Sequence, residues 1–286
     1  MRPNHLQLID RVGGRSIAEI FGCAVTRFAL ESAVMTTRLF HISDVHFGVE
    51  DHDALAEVVR AILEERPDGL ICTGDITQRA KLSEYEAAAQ WFAALPIPVM
   101  LEPGNHDMPY YNLWERFSDP YRRFRNLNAR VGSVLESEDV VLVSLKTTVR
   151  AQKRFPWSDG VVTRQALAKT VAALEVFRDD PRHLVVTAHH PLLGPENASR
   201  NPTIGGDHAF AALAQAGAQA VLSGHVHVPF DMQRCVQGES WGAGEPSMRA
   251  IGAGTLSTRL RHGAPASYRA LSFTRGGAVT SELRQV

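Results

Sequence analysis

The sequence predicts an α/β domain built on a largely parallel or mixed sheet. Two observations point there. From residue 38 onward, short apolar runs alternate with segments of helical periodicity, the pattern of strands joined by crossover helices. Almost every apolar run before residue 249 then ends abruptly in glycine or in Asp, Asn and His.

In chain order, the runs at 38–42, 69–73, 99–102, 140–145, 183–187 and 220–223 read as strands. Helical spacing covers 52–65, 83–94, 163–177 and 207–216, with Ser83 and Thr163 as N-caps and Pro67, Pro96 and Gly217 at ends. The tail changes character, with strands expected at 249–253, 268–274 and 278–283 and a hairpin turn at Gly276-Gly277. Ahead of residue 35, Ile17, Ile20, Phe21, Ala24 and Phe28 fall at helical spacing. Residues 1–34 therefore read either as a docking or oligomerisation arm or as a dispensable extension, and residues 35–286 as one domain.

Composition narrows the function classes. The 30 Lys and Arg balance 31 Asp and Glu, which argues against a bulk electrostatic grip on a nucleic-acid polymer or anionic lipid. No run has the roughly 18 apolar residues of a membrane span, and no secretory signal is expected. Cys23, Cys72 and Cys235 form no CxxC pair, so a thiolate metal site is not suggested and a cytoplasmic location is the expectation. A homo-oligomer remains compatible with the sequence.

The chemistry lies at the strand ends. They read Asp44-Val45-His46, Gly74-Asp75, Gly104-Asn105-His106-Asp107, His189-His190 and Gly224-His225-Val226-His227. In open α/β sheets, ligands bind beyond the carboxyl ends of strands, so these residues are expected to converge. If the backbone stays extended, Asp44 and His46, and His225 and His227, each face one side. A set of carboxylate, carboxamide and imidazole donors without thiolate suits first-row divalent ions such as Mn, Fe, Co or Zn. Each short motif alone is common in turns; the five in order, each at a strand end, are not.

This ordered set resembles the calcineurin-like metallophosphoesterase superfamily, whose signature runs DxH, GD, GNH[DE], H and GHxH. The resemblance spans residues 39–227. It implies a four-layer αββα sandwich of two mixed sheets with a two-metal site at the strand ends. It further implies Asp44, His46, Asp75 and His227 around one ion, and Asp75, Asn105, His189 and His225 around the other, with Asp75 bridging. His190 is the alternative to His189. The protein serine/threonine phosphatase branch reads GDxxDRG where this chain has Ile76-Thr77-Gln78 after its GD. The overall pattern looks more like the bacterial cyclic-nucleotide phosphodiesterase branch, with a GAGTLS strand in the tail.

The expected reaction is metal-dependent hydrolysis of a small phosphodiester, with a 3′,5′-cyclic nucleotide favoured, by a hydroxide bridging two divalent ions. The alternatives are a lipid-linked or nucleotide-sugar pyrophosphatase, a glycerophosphodiesterase and a metal-free scaffold. His106, beside a ligand but outside the metal set, is the expected acid for the leaving oxygen. Asp107 is expected to orient His106 or the turn backbone. Residues 109–130 mix Arg116, Arg122, Arg123, Arg125 and Arg130 with aromatic side chains, and read as an amphipathic helix with a basic outer face or as a substrate rim. Arg200 with 197–206, and 237–246 with Trp241, also read as candidate rim segments. His5, His41, His52, His183, His208 and His262 have no motif context.

Overall fold

The computed structural model describes residues 36–154, 156–194, 202–235 and 247–286. The expected helix before residue 35, Arg200 and the 237–246 loop with Trp241 lie outside these residues.

Two five-stranded sheets form the centre of residues 35–286. The first sheet contains β1 (Thr36–Ile42), β2 (Gly69–Cys72), β3 (Val99–Leu101), β9 (Ser267–Thr274) and β10 (Thr280–Gln285), in the order β10-β9-β1-β2-β3. β1, β2 and β3 run parallel, while β9 pairs antiparallel with β1 and β10. The second contains β4 (Val140–Ser144), β5 (His183–Thr187), β6 (Ala220–Ser223), β7 (Phe230–Cys235) and β8 (Ser247–Gly252), in the order β4-β5-β6-β8-β7. Only β7 is antiparallel there. Both sheets are mixed, as expected.

Side-chain alternation builds the layers. In β1, Phe40 and Ile42 face a helical layer while Leu39 faces the other sheet; in β5, Leu184 and Val186 face helices and Val185 faces inward. Strands buried on both faces read as continuous apolar runs, which is why β1, β2, β5 and β6 are legible. Leu39, Ile71, Val185, Leu222 and Phe273 pack between the sheets. The outer face of the first sheet is covered by α1 (His52–Glu65), α2 (Leu82–Ala93) and α4 (Arg122–Val131), through Val58, Ile62, Phe92 and Leu127. A short α3 (Leu113–Ser118) precedes α4. The second sheet is covered by α5 (Arg164–Glu175) and α6 (Gly206–Gln215), through Leu174, Phe210 and Leu213.

Local chemistry sets the helix starts. Asp51 Oδ1 accepts from the Asp53 and Ala54 amides, and Thr163 Oγ1 from the Ala166 amide, each satisfying donors orphaned at a helix N-terminus. Ser83 is not a cap. α2 starts one residue earlier, where buried Glu84 turns back to accept from the Lys81 and Arg79 amides at 3.1 and 2.7 Å. The carboxylate satisfies amides at and before the N-cap, whereas a capping hydroxyl would accept from the amides of the first turn. Residues 109–131 form two helices where one was expected, because Asp119 and Pro120 interrupt the run. The tail strands are shifted by up to two residues, and the hairpin turn holds Gly276 at φ +70°. No helix among the described residues is long and apolar enough to cross a membrane.

Candidate metal centre

The parallel strands place their carboxyl ends together, and loop amides lock the ends to one another. The Asp44 amide donates to Gly74 O at 3.0 Å, His46 to Asp75 O at 3.0 Å and Gly224 to His189 O at 3.0 Å. The His225 amide crosses between the sheets to Asp44 Oδ2 at 2.7 Å, and the His106 amide reaches Asp75 Oδ1 at 2.8 Å. Gly104 and Gly224 are required by this crowding. A Cβ on Gly104 would lie 2.1 Å from the Asp75 nitrogen, and one on Gly224 would lie 1.8 Å from Ser43 Oγ.

One expectation fails in detail. The DxH and GHxH segments are not extended: Asp44, His46, His225 and His227 have φ of 55, 51, 70 and 62°. Asp75 joins them at 51°. Left-handed backbone costs about 1–3 kcal/mol at a non-glycine residue and concentrates at functional sites. The paired side chains do converge, through tight loops and not through strand alternation.

Two groups of metal-capable side chains result. In the first, Asp44 Oδ1 lies 3.1 Å from His227 Nε2 and 3.7 Å from His46 Nε2, and the two imidazole nitrogens are 3.1 Å apart. In the second, His189 Nε2 lies 3.3 Å from Asp75 Oδ1 and 3.1 Å from Asn105 Oδ1, with the His225 ring 5.1 Å from the His189 ring. Asp75 turns its other oxygen, Oδ2, toward His46 Nε2 at 3.8 Å. Asp44, His46, Asp75, His189, His225 and His227 are all buried.

This geometry fits divalent ions. A carbonyl can only accept, so His227 donates Nδ1–H to Arg259 O and His189 donates Nδ1–H to Thr73 O, both at 2.8 Å. Each ring therefore presents Nε2 to a carboxylate, the arrangement in which a backbone acceptor orients a metal-binding imidazole. Asp44 Oδ1 is buried and has no hydrogen-bond donor. Buried acceptors facing one another are costly until a cation lies between them.

The electrostatics agree. Burial opposes the charge of Asp44 and Asp75, yet His227 and His189 hold both carboxyls well below the usual carboxylate range. Burial pushes His46 down to about 3, keeping it neutral. His189 is desolvated too, but Asp75 and Asp44 raise it to about 9.

His190 is differently employed. Its Nδ1 meets Thr147 Oγ1 at 2.9 Å and its Nε2 meets Ser158 O at 2.9 Å, although it also stands within one His189–His190–His225 group. Asp107 does not orient the His106 ring. It accepts from the Ile76, Thr77 and Gly104 amides and from Thr77 Oγ1, at 2.8–3.2 Å, so it ties the Gly74-Asp75 turn to the Gly104-Asn105 turn. The His106 ring is fixed instead by Gln78 O, 2.6 Å from Nδ1. His41 and His183 are structural; His183 Nε2 donates from the second sheet to Thr274 O of the first at 2.8 Å.

Arg259 belongs to none of the sequence motifs, yet it stands at the centre. Its Nη1 lies 3.3 Å from both His46 Nε2 and His106 Nε2 and 3.2 Å from Gln78 Oε1. The expected GAGTLS strand ends at Gly252. The following loop carries Thr255, whose hydroxyl donates to Asp44 O at 2.7 Å, and delivers Arg259. A cavity of about 970 Å³ opens beside the centre, lined by Asn105, His106 and Arg259 among others. Most arginines of the expected rim are otherwise occupied: Arg122 and Arg123 pair with Glu115, Arg125 with Asp119 and Arg130 with Glu86.

Comparison with known proteins agrees with this geometry. A probable cyclic nucleotide phosphodiesterase of Vesicomyosocius okutanii is 26% identical over 211 residues, covering 70% of this chain and 82% of that protein. The glycerophosphodiester phosphodiesterase GpdQ of Enterobacter lignolyticus is 40% identical over 80 residues, covering 24% of this chain and 29% of that protein. A dimetal phosphatase from Danio rerio shares the fold, with a TM-score of 0.61 at 13% identity over 87% of this chain and 96% of that one. Residues 37–229 match the calcineurin-like phosphoesterase family model. With its two mixed sheets and its clustered Asp and His ligands at the strand ends, the chain belongs to the calcineurin-like phosphoesterase family of metal-dependent phosphoesterases.

Proposed function

We propose that this protein hydrolyses a small phosphodiester, with a 3′,5′-cyclic nucleotide as the favoured substrate and two divalent ions (Mn, Fe or Zn) as cofactors. The observation that carries the reading is Asp75, whose two carboxylate oxygens face separate ligand groups. Asp44, His46, Asp75 and His227 hold one ion; Asp75, Asn105, His189 and His225 hold the other. Bound there, the ions supply an acidified water and neutralise charge on the phosphoryl group.

The chain's own residues complete the site. Arg259 sits on the cavity beside His46 and His106. Its planar fork matches phosphoryl oxygens, and it is placed to hold the diester. His106 is anchored at Nδ1 by Gln78 O and lines the cavity, so Nε2 is placed to deliver a proton to the departing oxygen, a role worth roughly 10²–10⁴ in rate. Tyr110, Tyr111 and Trp157 offer planar faces in the same cavity, which suits a nucleoside base. The extent of the match to a probable cyclic nucleotide phosphodiesterase supports that substrate. The local match to a glycerophosphodiester phosphodiesterase supports a glycerophosphodiester as the second reading. Cysteine usage supports a cytoplasmic enzyme.

The deciding experiment assays chelator-treated, metal-reloaded protein on cyclic nucleotides, glycerophosphodiesters, bis(p-nitrophenyl) phosphate and monoesters, with metal content measured by mass spectrometry. About two ions per chain and turnover of diesters are expected. Turnover confined to monoesters, or protein that retains no metal, would overturn the reading.

A further inference from the structure

Arg116 is an unusual arginine. It is only 3% exposed, yet it lines the cavity beside the metal centre. Its neighbours on α3 and α4 are paired with carboxylates, whereas Arg116 donates only to neutral carbonyls: Nε to Arg150 O at 2.6 Å and Nη1 to Pro109 O at 3.2 Å. Neither of these bonds uses Nη2. The guanidinium carbon lies over the Trp157 ring, 5.5 Å from its centre. A desolvated charge is expensive unless it is matched, and bracing two loops through carbonyls occupies only part of this fork.

The cavity around it is cationic. Arg79, Arg116, Arg259 and Arg261 line it, against Asp159 as the one acidic residue among its described lining. Asp159 already faces Arg154 at 3.0 Å. The phosphoryl group under attack is matched by two divalent ions and Arg259. None of the contacts of Arg116 is with a metal-ligand residue. Its charge therefore awaits a different anion.

We propose that the cavity contains a second anion-recognition site centred on Arg116 and Trp157, and that it takes a second phosphate group carried on one arm of the phosphodiester substrate. The inference rests on the diesterase reading but departs from its favoured substrate, replacing the simple cyclic nucleotide by a diester that carries a second phosphate. The physiological substrate carries at least two separated negative groups, one cleaved at the metal centre and one gripped by Arg116. A simple cyclic nucleotide or glycerophosphodiester fills only the first position. Tyr110 and Tyr111, which also line the cavity, pack against the portion between the two groups.

The test uses metal-loaded protein and a matched pair of probes: the non-cleavable methylenephosphonate analogues of the dinucleotide ApA and of its 5′-phosphorylated form pApA. Calorimetry should show pApA binding at least tenfold more tightly than ApA. In Arg116→Gln that ratio should fall below about twofold, and in Arg116→Lys it should be partly retained, since the charge remains but the fork is lost. Equal affinities in the unaltered protein overturn the proposal, as does a ratio that survives in Arg116→Gln. Because the first comparison needs no variant, a poorly folded Arg116→Gln leaves the proposal decidable. Turnover of bis(p-nitrophenyl) phosphate by the unaltered protein is measured alongside. Its absence would remove the diesterase reading, while the affinity ratio would still report on Arg116.

Discussion

His46 and His227 bring their Nε2 atoms within 3.1 Å of each other in a space closed to solvent. His227 spends its Nδ1–H on the Arg259 carbonyl, and burial keeps His46 neutral. With His46 neutral, its Nε2–H can donate to His227 Nε2, but Asp44 Oδ1 is then left without a donor, and a cation satisfies all three. Metal should therefore stabilise the fold. At a hundredfold excess over the dissociation constant the gain is about 2.7 kcal/mol, or roughly 5–10 °C in melting temperature for a domain of this size. Chelator treatment should remove that gain and Mn²⁺ or Zn²⁺ restore it, whereas Asp75→Asn should show little of it. Melting curves insensitive to metal would contradict the assignment.

Metal binding should release protons. His189 is raised from its ordinary 6.5 to about 9 in the metal-free protein. A raised folded-state pKa contributes stability that is full below 6.5 and lost as pH climbs through about 9. An ion at Nε2 displaces that proton, so apparent metal affinity should rise with pH across this window. Calorimetry in buffers of different ionisation enthalpy should count close to one proton from His189 at pH 7.5, and His189→Gln should lose it.

His106→Ala should keep the metal-induced gain in melting temperature while losing about 10²-fold or more in kcat on alkyl diesters. The loss should be smaller on bis(p-nitrophenyl) phosphate, whose leaving group needs no proton. Equal losses on both substrates would show that the ring acts otherwise.

Asp107→Asn changes few atoms but should be severe. Its carboxylate accepts four hydrogen bonds from the two turns that carry Asp75 and Asn105. An amide nitrogen in place of one oxygen faces N–H groups, leaving one or two buried backbone donors unsatisfied at a cost of about 1–3 kcal/mol each. Denaturant unfolding should show that loss together with weaker metal binding. A variant as stable as the parent would show that these bonds do not hold the turns.

Burial raises Glu102 from an ordinary 4.5 to about 7, although the Thr187 and Ser144 hydroxyls donate to it from the opposite sheet. The folded protein then holds a proton that the unfolded chain releases, so this group's contribution declines between pH 4.5 and 7 and is flat above. In metal-free protein, the slope of stability against pH over that interval should be more positive for Glu102→Gln than for the parent. An identical slope would mean that Glu102 is ionised throughout.

How much of this was legible in the sequence differs by element. β1, β2, β5 and β6 announce themselves because both of their faces are buried. β7 does not: Phe230–Cys235 is a half-exposed edge strand whose Asp231, Gln233 and Arg234 look like loop residues. The motif residues of the metal centre could be placed at one location from order alone. Their left-handed backbone could not, since Asp-x-His reads equally well as extended chain. Arg259 and Arg116 carry no local pattern. The first reaches the site only because the loop after β8 folds back over Asp44, and the second is distinguished from its neighbouring arginines only by which carboxylates those neighbours find.

Arg259 contributes twice: its carbonyl oxygen orients His227, and its side chain rests beside His46 and His106. Main chain and side chain of a single residue thus serve the inorganic and the organic halves of the site. Efforts to re-tool substrate choice by lengthening or shortening the 258–262 loop should alter metal retention in step. Changes confined to the Arg259 side chain should leave the two properties separable.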